Sequence, residues 1–362
     1  SLDSIKFDLD QPLTVPTPQP AFSTDVAVIG AGPVGLFTVF QFGMLGMKCH
    51  IIDSLEAIGG QCTALYPEKP IYDIPGYPEI SGGRLISALE RQAEPFAPHF
   101  HLNQQVIGLE GNAGAFHITT SQNTMIAAKV VIIAAGVGAF GPKRPPLPNI
   151  ETFEAAGPGL GVNYMVRRTK DFAGKRVVIA GGGDSAVDWA VILAGVAAKV
   201  IVVHRRATFR AMPESVRQLE SLVEDGSVEL MTPFQLAGVS GTDGTLQTVT
   251  IADLDGNARA IDADVLLPFY GLSQDLGPIR DWGLGDSRRG VAINPVTAET
   301  GRAGIFAVGD VAEYPGKLKL ILTGFSEAAF AAHRAHDIVF PEEALHFEYS
   351  TTKGIPRPGD MS

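Results

Sequence analysis

One unit occurs twice in this chain: a short apolar strand, a Gly-rich turn, an apolar helix and a second apolar strand. The first copy reads Asp25-Val26-Ala27-Val28-Ile29, then Gly30-Ala31-Gly32-Pro33-Val34-Gly35, a helical stretch to Leu45, and Cys49-His50-Ile51-Ile52-Asp53. The second reads Lys175-Arg176-Val177-Val178-Ile179-Ala180, then Gly181-Gly182-Gly183-Asp184-Ser185-Ala186, a helix through Ala194, and Lys199-Val200-Ile201-Val202-Val203. Strands that are apolar throughout suit a parallel sheet covered on both faces, and a helix between them closes a βαβ unit. The fold class expected is therefore α/β, with two Rossmann-like three-layer dinucleotide-binding domains. A strand over 129–135 leads into a cluster of prolines (Pro142, Pro145, Pro146, Pro148), where a domain junction is expected. Further strands at 265–270 and 304–308 precede a helix of roughly 323–336. The division expected is an N-terminal arm (1–23), a first domain split between 24–137 and 268–345, a second domain (138–267) and a C-terminal tail (346–362).

Each turn has the residues needed to receive a pyrophosphate. Gly30 permits the tight turn, Gly32 lets the backbone approach the phosphates, and Gly35 lets the helix close on its strand. The helix start, including the Val34 amide, then offers N–H donors and the positive end of a dipole. Asp53, ending the next strand, is placed to take ribose hydroxyls. Far downstream, Gly309-Asp310 follows the strand Ile305-Phe306-Ala307-Val308, as the second half of an FAD signature does. The Asp310 carboxylate suits a ribityl hydroxyl, and the helix beyond suits the pyrimidine edge of a flavin. The first site is thus expected to hold FAD.

The second turn has Gly181, Gly183 and Ala186 at the three small positions, with Asp184 and Ser185 opening the helix. Its second strand ends not in an acid but in His204-Arg205-Arg206, with Arg210 close behind. Guanidinium forks suit a 2′-phosphate, so this site is expected to take NADP(H).

Net charge of −11 argues against a general nucleic-acid or anionic-membrane role. No apolar run reaches membrane-span length, and the first 20 residues are unlike a signal peptide. There are two cysteines, Cys49 and Cys62, and no CxxC, which fits a reducing, cytoplasmic setting. The eight histidines form no HxxxH or HExxH group, so a metal is not expected. The basic residues Arg167, Arg168, Lys170, Lys175 and Arg176, and also Lys317 and Lys319, suit either a solvated surface or a docking patch.

GAGPVG, GGQCTALYPEKPIYDIPG (59–76), GGGDSAVDWA, HRRATFRA and GIFAVGDVAEYPGKLKLI together resemble the ferredoxin–NADP⁺ reductases of the thioredoxin-reductase-like type, from about Asp25 to near the end. Leu65-Tyr66-Pro67-Glu68-Lys69 is the most specific piece. The resemblance implies FAD contacts at Asp53, Gln61, Tyr66, Val106, Phe140, Asp310 and Thr351, with Tyr66 against one flavin face. It also implies a homodimer without catalytic cysteines, in which Tyr349, with Ser350 and Thr351, covers the other flavin face of the partner copy and gates it. The N-terminal arm is longer than the resemblance would suggest.

Thioredoxin reductase shares both turns, but needs a CxxC shortly before the second one. Residues 162–176 contain no cysteine, so no thiol–disulfide relay can be built there. The function expected is hydride transfer between NADP(H) and FAD, with a one-electron carrier, ferredoxin or flavodoxin, as the partner. A diaphorase or quinone-type reductase and a redox-sensing binding protein without turnover are the alternatives.

Overall fold

The computed structural model describes residues 20–285, 290–345, 351, 354 and 355, with backbone alone at 139–141 and 272–274. Phe140 is therefore known here only by its backbone, and Tyr349 and Ser350 lie outside the described residues.

The first half builds one mixed sheet. Its strands are β1 (Phe22–Ile29), β2 (Cys49–Ile52), β3 (His99–His101), β4 (Val106–Asn112), β5 (Ala115–Thr120) and β6 (Met125–Ile133). The order is β3-β2-β1-β6-β5-β4, parallel from β3 to β6 and antiparallel through the β4–β6 meander. β6 is long enough to have two neighbours on its far side. Phe116–Thr119 of β5 pair with its first half, and a distant strand, Ile305–Ala307, pairs in parallel with Val131–Ile133. That late strand returns the chain to the first sheet. Val130, Val131, Ile132 and Ile133 are all 0% exposed, as expected for a central strand covered on both faces.

One face is covered by α1 (Pro33–Met44), α2 (Gly82–Ala93) and a helix at Ile321–Val339, which share a core with Val28, Ile51 and Phe306. The meander and residues around Trp282 close the other face.

The second sheet contains β7 (Gly161–Val162), β8 (Arg176–Ala180), β9 (Lys199–Val203), β10 (Val228–Met231) and, after three intervening strands, Val265–Pro268. Those three are β11 (Gln235–Thr242), β12 (Thr245–Ala252) and β13 (Ala258–Asp262), which form an antiparallel sheet of their own, and Val265–Pro268 is β14. The parallel order is β7-β14-β8-β9-β10. The helices α3 (Asp184–Ala194) and α4 (Pro213–Glu224) cover one face, with Val187, Trp189 and Leu219 in its core. The antiparallel sheet covers the other through Val249 and Ile251. The second half is thus helix, parallel sheet and antiparallel sheet in three layers, whereas in the first the antiparallel meander continues the same sheet. The strand at Ile305–Ala307 is β15 and the helix at Ile321–Val339 is α5, longer at both ends than the sequence pattern suggested.

Candidate functional site

At the first turn, Gly30 has φ +113°, and a Cβ there would lie 2.3 Å from the Ala134 carbonyl oxygen. A Cβ on Gly35 would lie 2.0 Å from the Gly30 carbonyl oxygen, so Gly35 serves the packing of α1 and does not line the cavity. Gly32 differs: nothing lies within 4 Å of its Cβ position, which faces open space. α1 begins there with no side-chain cap, leaving its first N–H groups free to donate. Asp53 Oδ2 accepts from Ala31 N–H at 2.6 Å and Oδ1 from Leu55 N–H at 2.8 Å. Burial pushes the Asp53 carboxyl up, while these two amides pull it back toward ionisation.

Gly30, Gly32, Val34, Asp53, Gln61, Tyr66, Val106 and Asp310 line one cavity. It is completed by residues that carried no sequence signal, among them Gln104, Gln105, Gly138 and Ile279. Thr351 is exposed and is not part of this lining. Cys62 is also in the wall, with Sγ 4.0 Å from the Tyr66 hydroxyl. Burial above all pushes its thiol up to about 11, leaving it a poor nucleophile.

The second turn repeats the pattern. A Cβ on Gly181 would meet the Phe269 carbonyl oxygen at 2.6 Å and Ala186 Cβ at 3.0 Å, which explains why a small residue stands at 186. Gly183 faces open space, and α3 starts there without a side-chain cap. Asp184 is occupied locally, its Oδ1 accepting from Met212 N–H at 2.9 Å. Gly181, Gly183, Asp184, Ser185, His204, Arg205 and Arg210 line a second cavity, together with Tyr164, Phe234 and Tyr270.

His204 is buried: a Cβ on Gly182 would come within 2.1 Å of its ring, and Nε2 is 3.3 Å from the Thr208 carbonyl oxygen. Burial lowers its pKa, and Arg205, Arg206 and Arg210 lower it further. The three arginines themselves are exposed and make no ion pair among the described residues. Arg206 stands beside the cavity and is not in its wall.

Two residues, Gln61 and Tyr66, line both cavities. Tyr66 also packs against the cores of both halves. The loop that carries it is tied to the second half by Lys69–Asp188 at 2.7 Å and by Glu68 Oε2, which accepts from Thr169 N–H at 2.8 Å and from its hydroxyl at 3.1 Å.

Several basic side chains are committed elsewhere. Arg168 pairs with Asp171 at 3.0 Å and Arg176 with Asp264 at 2.7 Å. Lys317 is buried in an ion pair with Glu327, which leaves Lys319 as the exposed member of that pair of lysines. Among the described residues, no group of three or more His, Cys, Asp or Glu side chains is arranged to hold a metal ion, and no helix is long and apolar enough to cross a membrane.

Two Gly-rich helix starts that open on two cavities joined at Gln61 and Tyr66 define an oxidoreductase that brings two nucleotides together. The chain belongs to the pyridine nucleotide-disulphide oxidoreductase family, whose model matches residues 24–332. Within that class it is similar to curated ferredoxin–NADP reductases. The one from Granulibacter bethesdensis is 57% identical over 351 residues, covering 97% of this chain and 99% of that protein. The one from Rhodospirillum rubrum is 59% identical over 337 residues, covering 92% and 96%. The resemblance drawn from the sequence motifs therefore holds. Among solved structures, Lactococcus lactis thioredoxin reductase superposes with a TM-score of 0.74 at 25% identity, covering 88% of this chain and 99% of that one. T. acidophilum thioredoxin reductase, at 21% identity and a TM-score of 0.75, covers 87% and 98% and shares the fold.

Proposed function

We propose that this chain is an FAD-dependent reductase that exchanges electrons between NADP(H) and a one-electron carrier protein, ferredoxin or flavodoxin. The observation that carries the reading is that two nucleotide-type cavities share Gln61 and Tyr66. The first cavity fits FAD in its donor set: an uncapped helix start at Gly32, the Asp53 carboxylate, and Asp310 in the wall. When bound, FAD takes a hydride and releases electrons singly, as a nicotinamide and a one-electron carrier together require.

The protein's own work is alignment. Gly30, Gly32 and the Val34 amide receive the pyrophosphate, Asp53 the ribose, and Asp310 the ribityl chain, while Tyr66 stacks on one face of the ring. Gly181, Gly183, Ser185 and the start of α3 receive the second pyrophosphate, and Arg205, Arg206 and Arg210 the 2′-phosphate. The exposed, unpaired state of those guanidiniums supports this role. Residues 24–137 and 268–345 then act as the FAD domain and 138–267 as the NADPH domain, with 346–362 as a tail over the flavin. A homodimer, in which the partner copy supplies Tyr349 and Ser350, belongs to the same reading. So does a cytoplasmic setting, which the two free, buried cysteines suit.

The test is NADPH oxidation coupled to cytochrome reduction. Turnover that needs added ferredoxin is expected. Equal turnover with quinones or dyes alone favours a diaphorase, and flavin that NADPH does not reduce favours a sensor.

A further inference from the structure

The cavity wall at Gly309-Asp310 is braced by a group that the proposed chemistry does not use. The side chain of Glu327, on the buried face of α5, is 3% exposed, and that of its ion-pair partner Lys317 is 5% exposed. Burying two opposite charges is costly, and is tolerated only where nearly every lone pair and proton finds a partner. Here they do. Glu327 Oε2 accepts from Gly309 N–H at 2.8 Å. Oε1 accepts from the Tyr314 hydroxyl at 2.7 Å and from Lys317 Nζ. Lys317 Nζ also lies 5.5 Å over the Tyr314 ring.

The turn that Glu327 grips has little room of its own. Gly309 has φ +80°, and a Cβ there would meet Val34 Cγ2 at 3.3 Å. A Cβ on Gly324 would come within 2.4 Å of the same Val34 methyl and 3.0 Å of Gly309 Cα. The start of α1, the Gly309-Asp310 turn and the start of α5 are therefore in mutual contact, and the Glu327 carboxylate closes the join from behind. Asp310 is the next residue, and its side chain is in the cavity wall. Burial raises its carboxyl, and Lys319 and Lys317 draw it back toward ionisation, with Glu327 acting in the opposite sense.

We propose that Glu327, assisted by Tyr314 and Lys317, is a positioning residue for the flavin: it fixes the Gly309 amide so that Asp310 meets the ribityl chain, with Lys317 balancing the buried charge. The inference rests on the reading of this cavity as the FAD site. A neutral Gln at 327 can still accept from Gly309 N–H, but it leaves Lys317 as an unpaired buried cation. Removing both charges cures that fault without losing the acceptor.

The experiment compares FAD release from the purified holoenzyme, followed by the fluorescence of freed flavin, with visible absorbance and the flavin midpoint potential recorded alongside. Glu327→Gln should release FAD at least about tenfold faster than the parent. Glu327→Gln with Lys317→Met should recover most of the loss, whereas Glu327→Leu with Lys317→Met should not, because only the first pair keeps an acceptor for Gly309. Equal, parent-like release from both double variants, with unchanged spectrum and potential, would mean that the pair is only structural and would overturn the proposal. Should the Leu variant fail to fold, Tyr314→Phe and Glu327→Gln decide: parent-like release and potential in both overturns it. A parent chain that binds no FAD overturns the reading of the site as well, whereas a yellow parent with indifferent variants overturns the positioning role alone.

Discussion

At the scale of single residues, charge is what distinguishes the two turns. Asp53 is held by two amides and stays available as an acceptor, whereas the equivalent end of β9 presents Arg205 and Arg206 to solvent with no ion-pair partner among the described residues. Changing both Arg205 and Arg206 to Ala should therefore remove most of the preference for NADPH over NADH. Two charge-assisted contacts at about 1.5–3 kcal/mol each set an upper range of about 3–6 kcal/mol, expressed mainly in KM. Steady-state kinetics with both nucleotides check this, and an undiminished preference would reduce the arginines to surface charge.

A second residue-scale consequence concerns pH. His50, His99 and His101 stand together around Phe22, with His50 Nδ1 3.0 Å from His101 Nε2. Burial, then His101 and His99, push the His50 pKa from 6.5 down to about 4. Burial, then His99, also lowers that of His101. Between those two values the unfolded chain binds a proton at His50 that the folded chain refuses, so stability falls as pH drops through that window. His50→Phe should flatten this acid limb in urea unfolding midpoints measured from about pH 7.5 to about pH 5. A limb of unchanged slope would mean that other groups govern it.

At the scale of elements, the loop after α1 and β2 has the most to do. It begins with the short helical turn Gln61–Ala64, carries Tyr66 into both cavities, and then ties itself to the second half through Glu68 and Lys69. The Lys69–Asp188 side chains are 20% and 21% exposed, so the pair adds modestly to stability. Its larger effect is on alignment, because it joins the tyrosine loop to α3, whose start faces the second cavity. Lys69→Met should leave FAD content and absorbance intact yet slow NADPH-driven flavin reduction by about threefold to tenfold in stopped-flow traces. Reduction at the parent rate would show that the two halves find their places without this tie.

At the scale of the whole molecule, α5, β15 and the Gly309-Asp310 turn return to a sheet begun some 280 residues earlier (305 − 22 = 283). The first cavity, with Val308, Gly309 and Asp310 in its wall, is therefore closed only when both ends of the first half have met. The proposed tail belongs to this scale too. Deleting residues from Tyr349 onward should speed the encounter of NADPH with the flavin, raise electron leakage to oxygen and alter flavin absorbance. A truncated protein with parent-like reduction, oxidase rate and spectrum would remove the tail from the site.

What the sequence determined by itself lies mostly in short-range chemistry. Gly30-x-Gly32-x-x-Gly35 and Gly181-x-Gly183-x-x-Ala186 announce their turns because Gly30 and Gly181 have positive φ and Gly35 and Ala186 pack against them five residues on, while Gly32 and Gly183 face open space. The apolar runs of β1, β8 and β9 announce buried parallel strands for the same local reason. The missing CxxC is likewise a local fact. What only the tertiary structure decided depends on pairing across long loops. The parallel register His50↔His99 gathers histidines with no sequence motif between them. The return of β15 beside β6 sets Gly309 against Val34. Lys317, which the sequence left open as a surface or docking lysine, is instead sealed against Glu327 ten residues on, because α5 turns that carboxylate inward beneath the turn. Composition and spacing report which backbone shapes a segment tolerates; which distant side chain it meets is settled by sheet register and helix packing, and those carry no mark in the local sequence.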